Sequence, residues 1–216
     1  MTDWIAADWP APRHIIAGTM LRSAGDWALP VSGEPFFLNQ VHGSDVVIAG
    51  YFDSPPSADG SVSGNSKYVC VVRTADCLPV LLCSADGSVF GAAHAGWRGL
   101  AAGVIEKTIA ALSADPADVL VWLGPAISQP SFEVGEDVRK VFVSGDPKAA
   151  ECFVANSRGR WQADLYGLAR QKLTAAGVLD IHGGGYCTYL DEQRFHSYRR
   201  DPACGRLVSF VGSTRP

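Results

Sequence analysis

The sequence predicts an α+β fold in which helices pack on mixed, double-layered β-sheets. Three observations lead there. Strand-like segments outnumber helical ones, and most are joined by turns rather than by helices. Several, such as Tyr68-Val69-Cys70-Val71-Val72, are apolar without interruption and so read as buried on both faces.

In chain order the strand candidates are residues 14–20, 45–48, 68–73, 80–83, 89–93 and 119–123, then Ile181 with its neighbours, and 207–211. A helix is read over 99–113, where Leu100, Val104, Ile105, Ile109 and Leu112 form one apolar stripe. A second covers 164–176, with Leu165, Leu168, Ala169 and Leu173 on one face and Gly177 as its stop. A third is read over 135–142. The Pro- and Ser-rich stretch 54–64 reads as a loop, and Asp115-Pro116 as a turn. No internal repeat or low-complexity tract interrupts the chain.

Composition narrows the function classes. The 216 residues are expected to form a single domain over 1–216 with a substantial core. Apolar residues make up 47% and charged residues 19%, with a net charge of −4. That balance argues against nucleic acid or an anionic membrane as the main partner. The first twelve residues are acidic, Trp-rich and Pro-broken, so no signal peptide is read, and no apolar run approaches a membrane span. The expected location is the cytoplasm, with the six cysteines reduced. Cys70 and Cys83 lie in strand-like runs and read as small core residues.

Three polar islands stand out against this apolar background. They are Asn39-Gln40-Val41-His42-Gly43, Thr74-Ala75-Asp76-Cys77-Leu78-Pro79 and His94-Ala95-Gly96-Trp97-Arg98-Gly99. His42, Cys77 and His94 can close three sides of a tetrahedral zinc site and leave the fourth open, as a catalytic zinc requires. Their spacing is too long for a zinc finger, so they must converge through tertiary folding. Each alone has a plainer reading: a core histidine, a structural thiol, a strand-end histidine. Arg98, just ahead of the helix at 99–113, forms with His94 and the amides near Gly99 a pocket for phosphate or a carboxylate. Arg199 and Arg200 read equally well as solvated ion-pair donors, Trp97 as core, and Asp59 as a turn residue, its alternative being a carboxylate behind the metal ligands.

At these same residues the chain resembles the YfiH-like family, also called laccase-domain or multicopper polyphenol oxidoreductase proteins and regarded as purine nucleoside phosphorylases. The three islands carry the resemblance, together with Ala58-Asp59-Gly60, Leu123-Gly124-Pro125-Ala126-Ile127, Phe132-Glu133-Val134-Gly135, Asp164-Leu165, Cys187-Thr188 and Phe195-His196-Ser197-Tyr198-Arg199-Arg200-Asp201. It implies two mixed sheets and zinc on His42, Cys77 and His94. It also implies phosphorolysis of adenosine, inosine, guanosine and methylthioadenosine, with adenosine deamination beside it. Nucleoside and phosphate are the implied partners, and Arg22 matches the family arginine near the substrate; Asn39, Gln40 and Arg98 are read with it on the substrate or phosphate, and Asp76 with His42, Cys77 and His94 among the catalytic group. The N-terminal part departs from the family: residues 20–25 copy its arginine-bearing opening segment only in part, and the stretch 26–35 is short.

Rival chemistries remain on the same residues. Five histidines, at 14, 42, 94, 182 and 196 and without a His-x-His pair, cannot hold a multicopper cluster. One copper on His42, Cys77 and His94 is the alternative cofactor, with only Met1 and Met20 available as an axial thioether. A metal-free Cys-His hydrolase would use Cys77 as nucleophile, His94 as base and Asp76 as its orienter. A plain binding module has no use for converging His and Cys side chains.

Overall fold

A computed structural model describes residues 3–24 and 28–215. Its first seven strands are β1 (Trp4–Ala6), β2 (Ile15–Met20), β3 (Glu34–Phe36), β4 (Val46–Ile48), β5 (Gly60–Ser63), β6 (Tyr68–Thr74) and β7 (Leu78–Ser84). After β8 (Phe90–Ala95) come helices α1 (Trp97–Ala101) and α2 (Val104–Leu112). Then follow β9 (Val119–Leu123), β10 (Glu133–Val134), α3 (Glu136–Gly145), β11 (Phe153–Ala155) and β12 (Trp161–Ala163). Helix α4 (Leu165–Ala175), β13 (Asp180–Gly183) and β14 (Leu207–Ser213) complete the chain.

The strands form a five-stranded sheet in the order β1-β2-β14-β6-β3, a six-stranded sheet in the order β13-β9-β7-β8-β5-β4, and a small sheet β10-β12-β11. Both large sheets are mixed: β3 runs parallel to β6, β4 to β5 and β13 to β9, and the remaining pairs are antiparallel. The α+β architecture with layered mixed sheets is therefore present as the sequence implied.

Strand β7 explains the uninterrupted apolar runs. Leu81 and Cys83 face a core shared with Cys70, Val72 and Val211 of the other sheet. Val80 and Leu82 face a second core, shared with Ile105 and Ile109 of α2 and Leu168 and Leu173 of α4. A strand between two cores needs apolar residues at every position, and each fully buried Val or Leu contributes about 1.5–3 kcal/mol. A smaller cluster of Met20, Val69, Val71 and Phe210 lies on the outer face of the five-stranded sheet.

Three expectations change. The helix read over 99–113 is two helices, because Gly103 takes a left-handed φ of 89° between α1 and α2. Arg98 therefore lies in the first turn of α1 rather than ahead of a helix. The loop read over 54–64 contains β5, which pairs with both β8 and β4 deep inside the six-stranded sheet. Its small residues hid it: a Cβ at Gly60 would stand 2.8 Å from Thr108 Oγ1 and 2.9 Å from a Val46 methyl, so the layers close only over glycine. Finally, β1, β3 and β10–β12 have only two or three residues each, too few for a periodic signal. Gly25, Asp26 and Trp27, within the shortened N-terminal stretch, lie outside the described residues.

Candidate metal centre

The three islands meet at one end of the six-stranded sheet. Cys77 sits immediately before β7, His94 is the fifth residue of β8, and Pro79 of β7 pairs with His94. His42 arrives on the turn after residue 40. The ligand-capable atoms of His42, Cys77 and His94 all lie within 4.8 Å of one another, and no other such group of three is found among the described residues. His94 is buried, Cys77 half-buried and His42 exposed, so the group is closed behind and open in front.

Asp59, entirely buried, organises two of the ligands. Its Oδ1 is 2.7 Å from Nδ1 of His94 and accepts the backbone N–H of His42 at 2.9 Å. Its Oδ2 accepts the N–H groups of Val41 at 3.1 Å and Gly43 at 2.6 Å. Three successive amides thus form a nest around one carboxylate, which holds His42 at a left-handed φ of 59° that a non-glycine residue rarely adopts. Burial pushes the Asp59 carboxyl up, but the bonds from His94, then Gly43 and Val41, outweigh it and hold it below its ordinary value. Asp59 therefore holds the Nδ1–H of His94 and turns Nε2 toward Cys77, where a metal would take that nitrogen on loss of its proton. The turn reading of Asp59 is corrected on this geometry, which sets its carboxylate behind His94. The signal was chemical: a histidine ligand needs an acceptor for its second nitrogen.

Cys77 is activated at the same place. Burial raises its pKa, but hydrogen bonding to His42 and His94 prevails and brings it down to about 7. Burial lowers the pKa of His94, and its bonds to Asp59 and Cys77 overcome this, raising it to about 9. Cys70 and Cys83, by contrast, are buried core thiols pushed up to about 12.

Asp76 does not orient His94. Its Oδ1 accepts the Thr188 hydroxyl at 2.6 Å, and its Oδ2 accepts the backbone N–H of Arg199 at 2.7 Å. Its own carbonyl accepts the N–H of Ile127 at 3.0 Å, with φ at 87°. These bonds tie the lead-in to β7 to the segment around Thr188 and Arg199. The hydrolase triad with Asp76 as orienter fails on this ground, since Asp59 occupies that place.

Two concavities flank the cluster, and both touch His42, Ala75, Cys77 and Tyr198. The larger, about 650 Å³, adds Asn39, Gln40, Arg73, Thr74, His94 and Arg206. The smaller, about 240 Å³, adds Asp76, the apolar walls Trp97, Ile127, Phe132 and Leu165, and the cations Arg98 and Arg199. Arg98 is exposed and stacks on the Trp97 ring at 4.5 Å. Arg199 donates to the carbonyls of Ser131 and Glu133, and Arg200 to those of Thr188, Tyr189 and Phe195, so both work mainly on backbone. Asn39 donates to the Ser57 hydroxyl at 2.9 Å. Gln40 brackets Arg73, donating to its carbonyl and accepting its N–H, both at 2.8 Å. Arg22 lines neither concavity and instead donates to the carbonyl of Glu192 at 2.5 Å. Sequence reading missed Arg73 and Arg206 as wall residues and gave Thr74 no role within its island, since nothing in the local pattern of the two arginines sets them apart from other surface cations.

The profile of the family described as "Multi-copper polyphenol oxidoreductase laccase" matches residues 19–214. The chain belongs to this family. Its relatives include a purine nucleoside phosphorylase of Pseudomonas aeruginosa, 41% identical over 243 aligned residues covering 98% of both chains. The purine nucleoside phosphorylase YfiH of Escherichia coli is 48% identical over 179 residues, 82% of this chain and 73% of that protein. Among solved structures, the Neisseria meningitidis protein NMB0706 superposes with a TM-score of 0.93 at 39% identity, covering 98% of this chain and 99% of that one. YlmD of Geobacillus stearothermophilus, at 24% identity and a TM-score of 0.89 over 98% and 96% of the two chains, shares the fold. The laccase in the family's name meets a chemical limit here: His14, His182 and His196 lie outside the cluster, so it can take one metal ion and not several. Met20 is buried in strand β2, in the outer apolar cluster, and lines neither concavity, while Met1 lies outside the described residues. Among the described residues, no helix is long and apolar enough to cross a membrane.

Proposed function

We propose that this chain, acting as one domain in the cytoplasm, is a zinc-dependent purine nucleoside phosphorylase for adenosine, inosine, guanosine and methylthioadenosine, and that it also deaminates adenosine. The observation that carries the reading is the His42–Cys77–His94 group with Asp59 behind His94, beside two unequal concavities. Two imidazoles and a thiol of lowered pKa, with the second nitrogen of one imidazole already satisfied, are a donor set that fits zinc. The relatives named purine nucleoside phosphorylase support nucleoside and phosphate as substrates.

Bound to these three side chains, zinc would supply Lewis-acid polarisation in a partly dry site. The rest is work for the chain. The nucleoside occupies the larger concavity with Asn39 and Gln40 in its wall, and Arg98 holds phosphate from the smaller one through charge-assisted bonds. A phosphate oxygen then attacks C1′ of the ribose, the bond from C1′ to the base nitrogen breaks, and the proton of hydrogen phosphate ends on that nitrogen. Asp76 acts by fixing the backbone ahead of Cys77. Arg22 contributes only through the Glu192 segment it braces.

The test is metal analysis of the purified protein joined to product analysis on adenosine with and without phosphate. Adenine and ribose 1-phosphate should appear only when phosphate and metal are both present, and inosine should form without phosphate. Zinc-replete protein that yields no adenine under these conditions overturns the phosphorylase reading. Copper in place of zinc, with oxidation of a phenol, supports the copper alternative on the same ligands.

A further inference from the structure

Phosphorolysis of a nucleoside needs one anion, yet cations stand on both sides of the His42–Cys77–His94 group. Arg98 serves the smaller concavity, while Arg73 and Arg206 line the larger. Arg73 stands in β6 opposite Val208, and Arg206 immediately precedes β14, so the two arginines stand at the same end of the β6–β14 pair and line one concavity. Like charges so placed repel unless an anion joins them. No carboxylate lines this concavity, although the chain has 22 acidic residues against 18 basic ones. Arg73 forms no ion pair and no side-chain hydrogen bond among the described residues; its guanidinium only stacks on Phe37 at 6.0 Å. Arg206 bonds to the neighbouring carbonyls of Cys204 and Gly205 and lies over the Tyr198 ring at 5.9 Å, with no ion pair among the described residues. The bracket from Gln40 fixes the Arg73 backbone at both its N–H and its carbonyl, so the position of this charge is built rather than incidental. In the same wall, Thr74 is 1% exposed and its hydroxyl has no partner. An unsatisfied hydroxyl and two guanidiniums without ion-pair partners in one lining mark a space that receives a polar, anionic group.

We propose that the larger concavity takes purine nucleoside 5′-monophosphates, with the 5′-phosphate held by Arg73 and Arg206 while inorganic phosphate enters beside Arg98. This rests on the phosphorylase reading. In the reaction a phosphate oxygen bonds to C1′, the bond from C1′ to the base nitrogen breaks, and the phosphate proton passes to that nitrogen. AMP and phosphate would thus give adenine and ribose 1,5-bisphosphate.

The test compares AMP with adenosine on zinc-loaded wild type and on the Arg73→Gln/Arg206→Gln double variant, reading adenine release at saturating phosphate and, separately, binding of each ligand by calorimetry. Wild type should release adenine from AMP, and the ratio of kcat/KM for AMP to that for adenosine should fall at least about tenfold in the variant, as expected for lost hydrogen bonds to a charged group. Wild type should also bind AMP more tightly than adenosine, with the advantage falling as salt rises. AMP that is neither cleaved nor bound more tightly than adenosine overturns the proposal. So does a variant whose AMP-to-adenosine ratio is unchanged but whose KM for inorganic phosphate rises, because the two arginines would then hold the free anion. If adenosine is not phosphorolysed at all, the phosphorylase reading fails, and the binding comparison still decides whether the site selects a 5′-phosphate.

Discussion

Asp59 Oδ1 and His94 Nδ1 are joined at 2.7 Å with side-chain exposures of 0% and 3%. The same carboxylate receives three consecutive amides of the turn that carries His42. One buried acid therefore sets the tautomer of one proposed ligand and the backbone of another. A carboxylate can do both because it offers about four acceptor sites and no donor.

Replacing Asp59 with Ala should consequently damage metal binding and stability together. His94 and the N–H groups of Val41, His42 and Gly43 would all lose their acceptor. The expected loss is about 10–100-fold in metal affinity and roughly 3–5 kcal/mol in stability, the scale for breaking a buried charged pair. Competitive metal titration and urea denaturation measure the two. Zinc affinity equal to wild type would detach Asp59 from the site.

The cysteines separate by chemistry. In metal-free protein the Cys77 thiol, at about 7, is roughly half thiolate at neutral pH, whereas Cys70 and Cys83, at about 12, stay protonated. Thiolate is the reactive form, so iodoacetamide labelling of Cys77 should climb through a midpoint near pH 7 and level off about one to two units above it. Peptide mapping should find Cys70 and Cys83 unlabelled in the native protein, and added zinc should shield Cys77. Equal labelling of all three would remove the basis for treating Cys77 as special.

Metal loss should not unfold the chain. Two large apolar clusters, one between the sheets and one under α2 and α4, stand independently of the centre. Cys77→Ala, His42→Ala and His94→Ala should each lose zinc and turnover while keeping a cooperative transition. Cys70→Ala and Cys83→Ala should keep both and lose about 1–2 kcal/mol of packing. A Cys77→Ala protein with stoichiometric zinc and full activity would show that the centre lies elsewhere.

Gly96 offers a purely steric test. It has an ordinary φ of −65°, so alanine fits its backbone, but a Cβ there would stand 2.8 Å from Cys77 Sγ and 3.3 Å from His42 Cδ2. Gly96→Ala should displace two ligands at once and cut zinc occupancy severely. Gly145→Ala, where no atom lies within 4 Å, should leave zinc unchanged and add a few tenths to about 1 kcal/mol of stability. Normal zinc in Gly96→Ala would mean that the backbone yields where the fold indicates it cannot.

What was legible in the sequence was whatever carries its own chemistry or period. His42, Cys77 and His94 are unusual residue types at the ends of apolar runs, and they converge. The uninterrupted runs of β6, β7 and β9 mark strands between two cores. Asp59 was obscured because Ala58-Asp59-Gly60 has the composition of a turn, and its partners lie in separate segments. Strand β5 was hidden because Gly-Ser-Val-Ser has little strand propensity, its place being set by close contact with α2 and β4. The break in the first helix turns on Gly103, since Gly99 earlier in the same stretch is helical. Only packing tells the two glycines apart: a Cβ at Gly99 would approach the Gly43 carbonyl to 2.7 Å.

Arg98 supplies the sharpest test of how phosphate is held. It is the second residue of the five-residue helix α1, so its contribution is its own charge rather than that of a helix terminus. The guanidinium lies over Trp97 at 4.5 Å and has no polar side-chain partner among the described residues, which leaves its donors free for an anion in the smaller concavity. Stacking fixes the plane of the fork, and a lysine cannot reproduce that plane. Arg98→Ala should therefore raise the KM for phosphate about 10–150-fold, the equivalent of 1.5–3 kcal/mol for a hydrogen bond to a charged group. Arg98→Lys should recover only part of that loss, because charge returns without the fork. Nucleoside binding in the absence of phosphate should change little in either variant, and zinc content should not change at all. An unaltered phosphate KM in Arg98→Ala, with fold and zinc intact, would move the phosphate site to the other side of the metal cluster.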